Sequence, residues 1–243
     1  KVIVVENSNN EFFKKEIESK YNNVNCILTG ENKGYAVANN IGLTNVETKF
    51  ALVLNPDAIL QKNAVENFFK ITIKNDDFWL IGPGNDQNVN LDFKNENTIE
   101  VDNLKGFAIF FNMTKFNNKF FDENFFLYFE EIDLCKQVIK KNGKIYLDQR
   151  IQIKHQGASS VNKMSILELE KNRNWHWMWS TFYFHKKYKG FLIALIIITP
   201  KFLSSLIKIL FYTLIFNKKK RDVCYFRLSG ILNSIIGKES WYR

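Results

Sequence analysis

Three carboxylates lie within four residues, at Glu130, Glu131 and Asp133, directly after the aromatic-rich stretch 125–129. Carboxylates this close repel one another unless water or a cation stabilises them, and apolar surroundings raise the pKa of a carboxyl group. One of the three could therefore act as a general base near neutral pH. The alternative is an acidic helix N-terminus, where the helix dipole favours Glu and Asp.

Two further positions follow apolar strand patterns and have metal-ligand chemistry. Asn55-Pro56-Asp57 comes directly after residues 50–54, and a carboxylate at a strand end can hold a divalent cation that neutralises a diphosphate. Asn-Pro-Asp is also a common turn sequence, so the tripeptide alone favours a turn. His155 follows residues 151–154 and is either a metal ligand or a structural histidine.

A glycine turn precedes a predicted helix at residues 34–43. Gly34, two residues after Asn32, permits a tight turn and close backbone approach. The following helix N-terminus could face an anion. The spacing matches neither a P-loop nor a dinucleotide-binding fingerprint, so it is nonspecific by itself.

The elements around these residues predict an alternating α/β domain with a mostly parallel sheet. Apolar runs predict strands at 1–7, 24–28, 50–54, 78–81, 104–111, 144–147 and 151–155, and helical periodicity predicts helices at 11–21, 34–43, 63–74 and 129–141. The Asn- and Asp-rich stretch 84–103 is predicted to be a surface loop. Ligands of such sheets bind outside the carboxyl ends of the strands, where the turns 6–8 and 55–57 would lie.

Five ordered blocks together resemble glycosyltransferase family 2, in particular its bacterial rhamnosyltransferase-like branch. The blocks are Val5-Glu6-Asn7-Ser8; Asn32-Lys33-Gly34-Tyr35-Ala36 through Asn40-Ile41-Gly42; Leu54-Asn55-Pro56-Asp57-Ala58; Phe121-Asp122-Glu123-x-Phe125-Phe126 with Phe129-Glu130-Glu131-Ile132-Asp133-Leu134; and His155. The resemblance covers roughly residues 1–160 and implies a catalytic domain with the GT-A fold, which is Rossmann-like with flanking helices.

The resemblance also implies roles for individual residues in an inverting, metal-dependent sugar transfer. Glu131 falls at the position of the catalytic base, with Glu130 and Asp133 in support. Asp57 and His155 would hold a divalent metal, Mg²⁺ or Mn²⁺. The positions assigned to the nucleotide-sugar donor are Glu6, Asn32, Gly34, Asn40, Asn55 and Gly106.

Three features depart from the family pattern. Glu6 and Glu131 are each one methylene longer than the Asp that the family commonly has, and Asn55 stands where a full DxD motif has Asp. The family also begins with a strand and a helix ahead of the segment 1–7. We therefore expect the catalytic domain to lack its first strand and helix.

The remaining residues, 161–243, predict a C-terminal helical region. Its stretch 191–216 is mostly apolar, with one polar stripe at helical spacing formed by Lys201, Ser204, Ser205, Lys208 and Tyr212. Such a stripe is typical of a helix in the membrane interface, here about 191–221. The alternative is a helix packed on the catalytic domain. A full membrane span is less favoured because Pro200 and the two lysines interrupt the apolar run.

The net charge of +9 favours an anionic partner, and the basic cluster at 218–221 beside the apolar stretch favours a membrane surface over nucleic acid. Three scattered cysteines argue against a disulfide framework or a structural zinc site. We expect a peripheral or monotopic enzyme at the cytoplasmic face of the cell membrane. It would move a sugar, with rhamnose as one candidate, from a dTDP- or UDP-sugar to a lipid-linked glycan acceptor in cell-surface polysaccharide biosynthesis. The alternative is a catalytically degenerate membrane-surface or polysaccharide-binding protein with a transferase-like fold.

Overall fold

The computed structural model describes residues 1–84, 97–155, 166–240 and 242. They form two compact units. The sheet unit comprises the described parts of 1–28, 38–121 and 131–161, and the helical unit comprises those of 29–37, 122–130 and 162–243. The predicted domain boundary at 160/161 and most of the predicted surface loop, residues 85–96, lie outside the described residues.

The sheet unit is a mixed α/β domain. Its strands are β1 (Val2–Glu6), β2 (Val24–Leu28), β3 (Phe50–Leu54), β4 (Ala58–Leu60), β5 (Phe78–Pro83), β6 (Thr98–Glu100), β7 (Ala108–Asn112), β8 (Lys144–Asp148) and β9 (Ile153–His155), with helices α1 (Glu11–Lys20), most of α2 (Gly34–Thr44), α3 (Ala64–Lys74) and nearly all of α4 (Glu130–Lys140). The predicted helices and most predicted strands are confirmed. The sequence does not predict β4 and β6, because three residues carry too little periodicity.

The strand directions differ from the predicted, mostly parallel sheet. In the described residues, β1 pairs with β2 and β5 with β8 in parallel. The pairs β3–β7, β5–β7, β6–β8 and β4–β9 are antiparallel. The largest sheet has the order β3-β7-β5-β8-β6. β7 is buried along its whole length, and a continuous apolar run of this kind resembles a strand of a parallel sheet.

The core of the sheet unit packs α3 against the largest sheet. Phe68 of α3 stacks on Phe110 of β7 with ring centroids 4.9 Å apart, and Phe50 of β3 stacks on the same ring at 5.5 Å. Each fully buried phenylalanine contributes about 1.5–3 kcal/mol relative to an exposed one. Several of the chain's phenylalanines therefore pack in this core. The core holds β3 in place, and the candidate site begins at the end of that strand.

The helical unit contains α5 (Ile166–Lys189), α6 (Phe191–Leu214) and α7 (Lys218–Ile235). Its core is formed by buried side chains from all three helices: Met178, Phe182, Ala194, Ile198 and Ile231. Gly230 of α7 allows close helix packing, because a Cβ there would lie 2.3 Å from the carbonyl oxygen of Trp175. His176 is fully buried and contacts the Ser240 hydroxyl at 2.9 Å, so it is a structural histidine.

The polar stripe of α6 lies along the helix face that packs within the helical unit, and its predicted place in a membrane interface stays a prediction. Ser205 is buried, and Lys208 and Tyr212 line a cavity shared with α5 and α7. The stripe continues, at spacings of three and four residues, the helix face on which Ala194 and Ile198 are buried. Packing of that face onto the neighbouring helices buries Ser205, whereas Lys208 stays exposed at the cavity.

Apart from Lys208, the exposed surface of α6 is mostly apolar. Its most exposed apolar side chains are those of Leu192, Ile196, Ile207, Leu210 and Leu214. The helix continues through Pro200 for 24 residues with a mean hydropathy of 2.0, and 17% of its most apolar window is buried. By length and composition α6 is the one helix in the described part of the chain that could cross a membrane. Core helices of soluble proteins can have the same length and hydropathy, but they are mostly buried.

Candidate functional site

Asp57 and His155 come together at the ends of two short paired strands. β4 and β9 pair with Ala58 opposite His155, and Asp57 Oδ1 lies 3.2 Å from His155 Nε2. The carbonyl oxygen of Asn55 accepts a hydrogen bond from the Ala58 N–H at 3.0 Å. The segment is therefore a β-turn with proline at its second position. The turn and metal-ligand hypotheses are compatible, because the turn directs the carboxylate toward the histidine.

Phe107 contacts both halves of this pair. Its ring stacks on the imidazole of His155, with centroids 4.7 Å apart and planes at 11°. Its carbonyl oxygen accepts a hydrogen bond from the Asn55 N–H at 2.9 Å. Asn55 and Gly106, both predicted to bind the donor, are thereby held beside the pair. Phe107 was not predicted as a site residue, since it lies inside the predicted strand 104–111 and belongs to no motif.

The Asp57–His155 pair fits a divalent cation with two protein ligands. A carboxylate oxygen and an imidazole nitrogen are both metal-ligating atoms. The side chain of Asp57 is 7% exposed and that of His155 is 31% exposed, so solvent reaches the pair mainly at the histidine. Within the described residues no group of three or more His, Cys, Asp or Glu side chains forms a metal site. Phosphate oxygens and water would then fill the other positions, as they do at Mg²⁺ sites with few carboxylates.

Glu131 is the second residue of α4, and its carboxylate turns back onto the helix N-terminus. Its Oε2 is completely buried and has no hydrogen-bond partner in the part of the chain that the structure describes. Burial raises the pKa of Glu131 above its ordinary value. Hydrogen bonds from its own N–H and that of Ile132 oppose this shift but do not cancel it. A buried carboxylate with a raised pKa has the properties expected of a general base.

The two acidic neighbours of Glu131 are more deeply buried. Asp133 has no exposed surface and accepts a hydrogen bond from Gln137 Nε2. Its predicted role in support of Glu131 stays a prediction, and its burial favours a positioning role over contact with an acceptor sugar. Glu130 is 6% exposed, and its supporting role remains a prediction.

Glu6 and Asn40, both predicted to bind the donor, differ in how they are held. Glu6 ends β1, and its carboxylate accepts a hydrogen bond from Ser8 Oγ, which lies 2.9 and 2.7 Å from its two oxygens. Asn40 donates to the Phe121 carbonyl at 2.9 Å and accepts from the Phe121 N–H at 3.0 Å. Both ends of the Asn40 amide bind the Phe121 backbone, which is a structural contact, and its predicted role in donor binding stays a prediction.

Asn32 and Gly34 form a turn packed against Phe126 within the helical unit. Asn32 Oδ1 accepts a hydrogen bond from the Gly34 N–H at 3.1 Å, and the Tyr35 N–H donates to the Phe126 carbonyl at 2.9 Å. Gly34 has a φ of +84°, and a Cβ there would lie 2.5 Å from that carbonyl oxygen. The predicted close backbone approach is present, and the Phe126 backbone is its partner.

Replacing Gly34 with alanine is expected to destabilise the protein by about 2–5 kcal/mol, because the positive φ and the clash with Phe126 add up. Gly30 is the matched control, since it has a φ of +82° but nothing within 4 Å of an added Cβ. Gly30→Ala is expected to cost only about 1–2 kcal/mol. Chemical denaturation midpoints of the two variants test this, and equal losses would contradict the clash.

The aromatic run before α4 packs on α5. Tyr128 and Phe129 contact the ring of Trp177 with centroids 5.3 and 5.2 Å apart, and Ser180 donates to the Leu127 carbonyl at 2.9 Å. Tyr128 and Phe129 have φ values of 70° and 72°, a conformation that persists only where the surroundings enforce it. These aromatic contacts therefore hold a strained backbone immediately ahead of Glu130 and Glu131.

Asp148 is a further carboxylate at a strand end, and it was not predicted as a site residue from the sequence. Asp148, the last residue of β8, is fully buried and accepts hydrogen bonds from Arg150 and from Thr98 of β6. Burial by itself would raise the pKa of Asp148, but the bonds from Arg150 and Thr98 lower it below its ordinary value. Asp148 and Arg150 are two residues apart, and no recognised sequence motif has this spacing. We interpret Asp148 as a structural residue whose hydrogen bond with Thr98 links β8 to β6.

Comparison with known proteins gives the family and the fold. The model of the family described as "Glycosyl transferase family 2" matches residues 1–135. No curated protein sequence matches the chain. A crystal structure of GalNAc-T7 with UDP, GalNAc and Mn²⁺ is similar at a TM-score of 0.57 and 11% identity, over 75% of this chain and 44% of that one. A crystal structure of S. aureus TarS 1–349 is similar at a TM-score of 0.50 and 15% identity, over 100% of this chain and 83% of that one.

Both structural likenesses have low sequence identity, so they show the fold alone. That fold is GT-A, with a central mixed sheet and flanking helices. The chain spans less than half the length of the GalNAc-T7 chain. The family match covers more than half of the 243 residues and includes Asp57 and Glu131. The chain therefore belongs to glycosyl transferase family 2.

Proposed function

We propose that this protein is an inverting glycosyltransferase that moves a sugar from a nucleotide-sugar to an acceptor hydroxyl. The observation that carries the proposal is the Asp57–His155 pair, 3.2 Å apart where β4 and β9 pair, with Asp57 inside the family match over residues 1–135. A divalent metal held by this pair would neutralise the charge of the departing diphosphate. Manganese suits the pair better than magnesium, because magnesium strongly prefers oxygen ligands.

In the proposed reaction, Glu131 accepts the proton of the acceptor hydroxyl. The acceptor oxygen then attacks the anomeric carbon from the face opposite the diphosphate. The bond between that carbon and the diphosphate oxygen breaks, and the nucleoside diphosphate leaves with the electron pair. A single displacement inverts the anomeric configuration without a covalent enzyme intermediate. The raised pKa of Glu131 supports its role, because it makes the carboxylate a better proton acceptor.

For the donor we propose a dTDP- or UDP-sugar, with Glu6 contacting the nucleoside. The GalNAc-T7 structure of the same fold was determined with UDP and Mn²⁺. The motif blocks that resemble the rhamnosyltransferase-like branch make rhamnose one candidate sugar. For the acceptor we propose a lipid-linked glycan in cell-surface polysaccharide biosynthesis.

We further propose that the protein works at the cytoplasmic face of the cell membrane, as a peripheral or monotopic enzyme. The exposed apolar surface of α6 supports this, since soluble monomers rarely expose large apolar patches. The basic residues 218–221 at the start of α7 fit the anionic cytoplasmic leaflet.

The test is a donor screen with the full protein. Incubation with UDP- and dTDP-sugars, Mn²⁺ and lipid-linked acceptor extract is expected to release nucleoside diphosphate and form a glycoside of inverted anomeric configuration, measured by NMR. A retained configuration would overturn the mechanism. Nucleotide binding without transfer from any donor would instead favour the degenerate binding protein.

A further inference from the structure

Three cationic side chains line a cavity of about 230 Å³ inside the helical unit. Lys208 comes from α6, and Lys220 and Arg227 come from α7. Glu170 of α5 is the one acidic residue among the described residues that line it. Three cations against one carboxylate leave the lining with a net charge of +2 at neutral pH. The volume would hold several water-sized groups of about 30 Å³ each, which is enough for a phosphate.

The positive charge of the cavity is not neutralised by the protein. Lys208, Lys220 and Arg227 form no ion pair with the described residues. Arg227 donates a hydrogen bond to Asn174 Oδ1 at 3.0 Å, which leaves its charge uncompensated. Burial lowers the pKa of Arg227 below its ordinary value. A partly buried guanidinium without a carboxylate is costly, and an anion in the cavity would offset that cost.

The exposed surface next to the cavity indicates where the anion comes from. Lys208 lies on α6 between the exposed apolar side chains of Ile207 and Leu210. Leu214 at the end of α6 and Phe216 in the connection to α7 are exposed, the latter at 92%. Phosphate sites on soluble ligands have no need of apolar surroundings, whereas a lipid carries a phosphate and acyl chains in one molecule.

We propose that this cavity binds the phosphate of an anionic membrane lipid, with the exposed apolar surface of α6 contacting the acyl chains. Lys208, Lys220 and Arg227 supply the charge that the phosphate neutralises. The site goes beyond the proposed sugar transfer and does not depend on it.

Vesicle flotation with the full chain tests the proposal. The vesicles contain phosphatidylcholine alone or phosphatidylcholine with phosphatidylglycerol. The double variant Lys208→Gln/Lys220→Gln removes two exposed charges that line the cavity. Lys218→Gln/Lys219→Gln is the matched control, because it removes two exposed charges of the same basic region that do not line the cavity. The cavity variant is expected to lose at least about tenfold more affinity for the anionic vesicles than the control.

Two results would overturn the proposal. Equal losses in the two double variants would mean that only diffuse surface charge attracts the protein to the membrane. Calorimetric binding of inorganic phosphate that requires Lys208 and Lys220, together with unchanged vesicle affinity in their variant, would assign the cavity to free phosphate. Circular dichroism checks that both variants are folded. Because no sugar transfer enters these measurements, their failure is distinct from failure of the proposed enzyme activity.

Discussion

Replacing Glu131 with glutamine is expected to reduce kcat for sugar transfer by about 10²–10⁴-fold, the usual contribution of a general base. Glutamine keeps the size of the side chain and accepts hydrogen bonds from the N-terminus of α4, but it does not take up the acceptor proton. Affinity for the nucleotide is expected to stay unchanged, since Glu131 is assigned to the acceptor and not to the donor. Steady-state release of nucleoside diphosphate gives kcat, and calorimetry with nucleotide and Mn²⁺ gives the donor-site affinity.

The same substitution is expected to raise the thermal stability of the protein at neutral pH. The folded-state pKa of Glu131 lies above its unfolded value, so the folded protein favours the neutral carboxyl. Ionisation of this group at neutral pH therefore lowers stability, and the neutral amide removes that loss. The stabilisation is present above the raised pKa and disappears below the unfolded value of about 4.3, where wild-type Glu131 is also neutral. Thermal melts across this pH range measure the difference.

Glu47→Gln is the matched control for Glu131→Gln, because Glu47 is an exposed carboxylate of the same unit. Because the side chain is exposed, Glu47→Gln is expected to leave both kcat and the melting temperature at neutral pH unchanged. Wild-type kcat is expected to fall at low pH as Glu131 becomes protonated, over a range that lies above that of an ordinary carboxyl group. Wild-type activity in Glu131→Gln would reject Glu131 as the base. Lower stability of Glu131→Gln at neutral pH would contradict the inference that burial disfavours the ionised carboxylate of Glu131.

The residues of the candidate site were predictable from the sequence because each follows a local strand pattern. Asp57 comes after the apolar strand β3, and His155 ends an apolar run, so both were expected at strand ends. Their contact was not predictable, because it depends on the three-residue pairing of β4 with β9. Phe107, which stacks on His155, joins the site through this non-local pairing and has no motif of its own.

The errors in the sequence analysis come from patterns that specify burial without specifying the partner. The apolar run of β7 indicates a strand buried on both faces, and it does so equally for a parallel or an antiparallel strand. The stripe on α6 indicates a helix with two unlike faces. Which residues of the polar stripe are covered depends on α5 and α7, and here Ser205 is buried while Lys208 stays exposed. The hydrogen bonds of Asn40 and Asp133 were also not predictable, because a motif position does not show which backbone group or side chain it contacts.

Asp57→Asn is expected to lower the affinity for Mn²⁺ by about a hundredfold and to reduce kcat/KM by at least a similar factor. The substitution removes the negative charge of one of the two proposed protein ligands and keeps the size of the side chain. Its 7% exposure means that few other groups can supply the lost negative charge. Binding is measured from the electron paramagnetic resonance signal of free Mn²⁺ with UDP or dTDP present, so this readout does not require activity.

The Mn²⁺ measurement distinguishes a metal pair from a structural ion pair between Asp57 and His155. Asp76→Asn is the control, because Asp76 is exposed and lies in the same unit. His155→Gln is expected to weaken Mn²⁺ binding as Asp57→Asn does, whereas Phe107→Ala is expected to weaken it less, since that ring only orients the imidazole. A structural ion pair predicts the opposite pattern, with lower melting temperatures in both ligand variants and unchanged Mn²⁺ affinity. That pattern would remove the metal from the proposed mechanism and leave Glu131 without a partner that activates the leaving group.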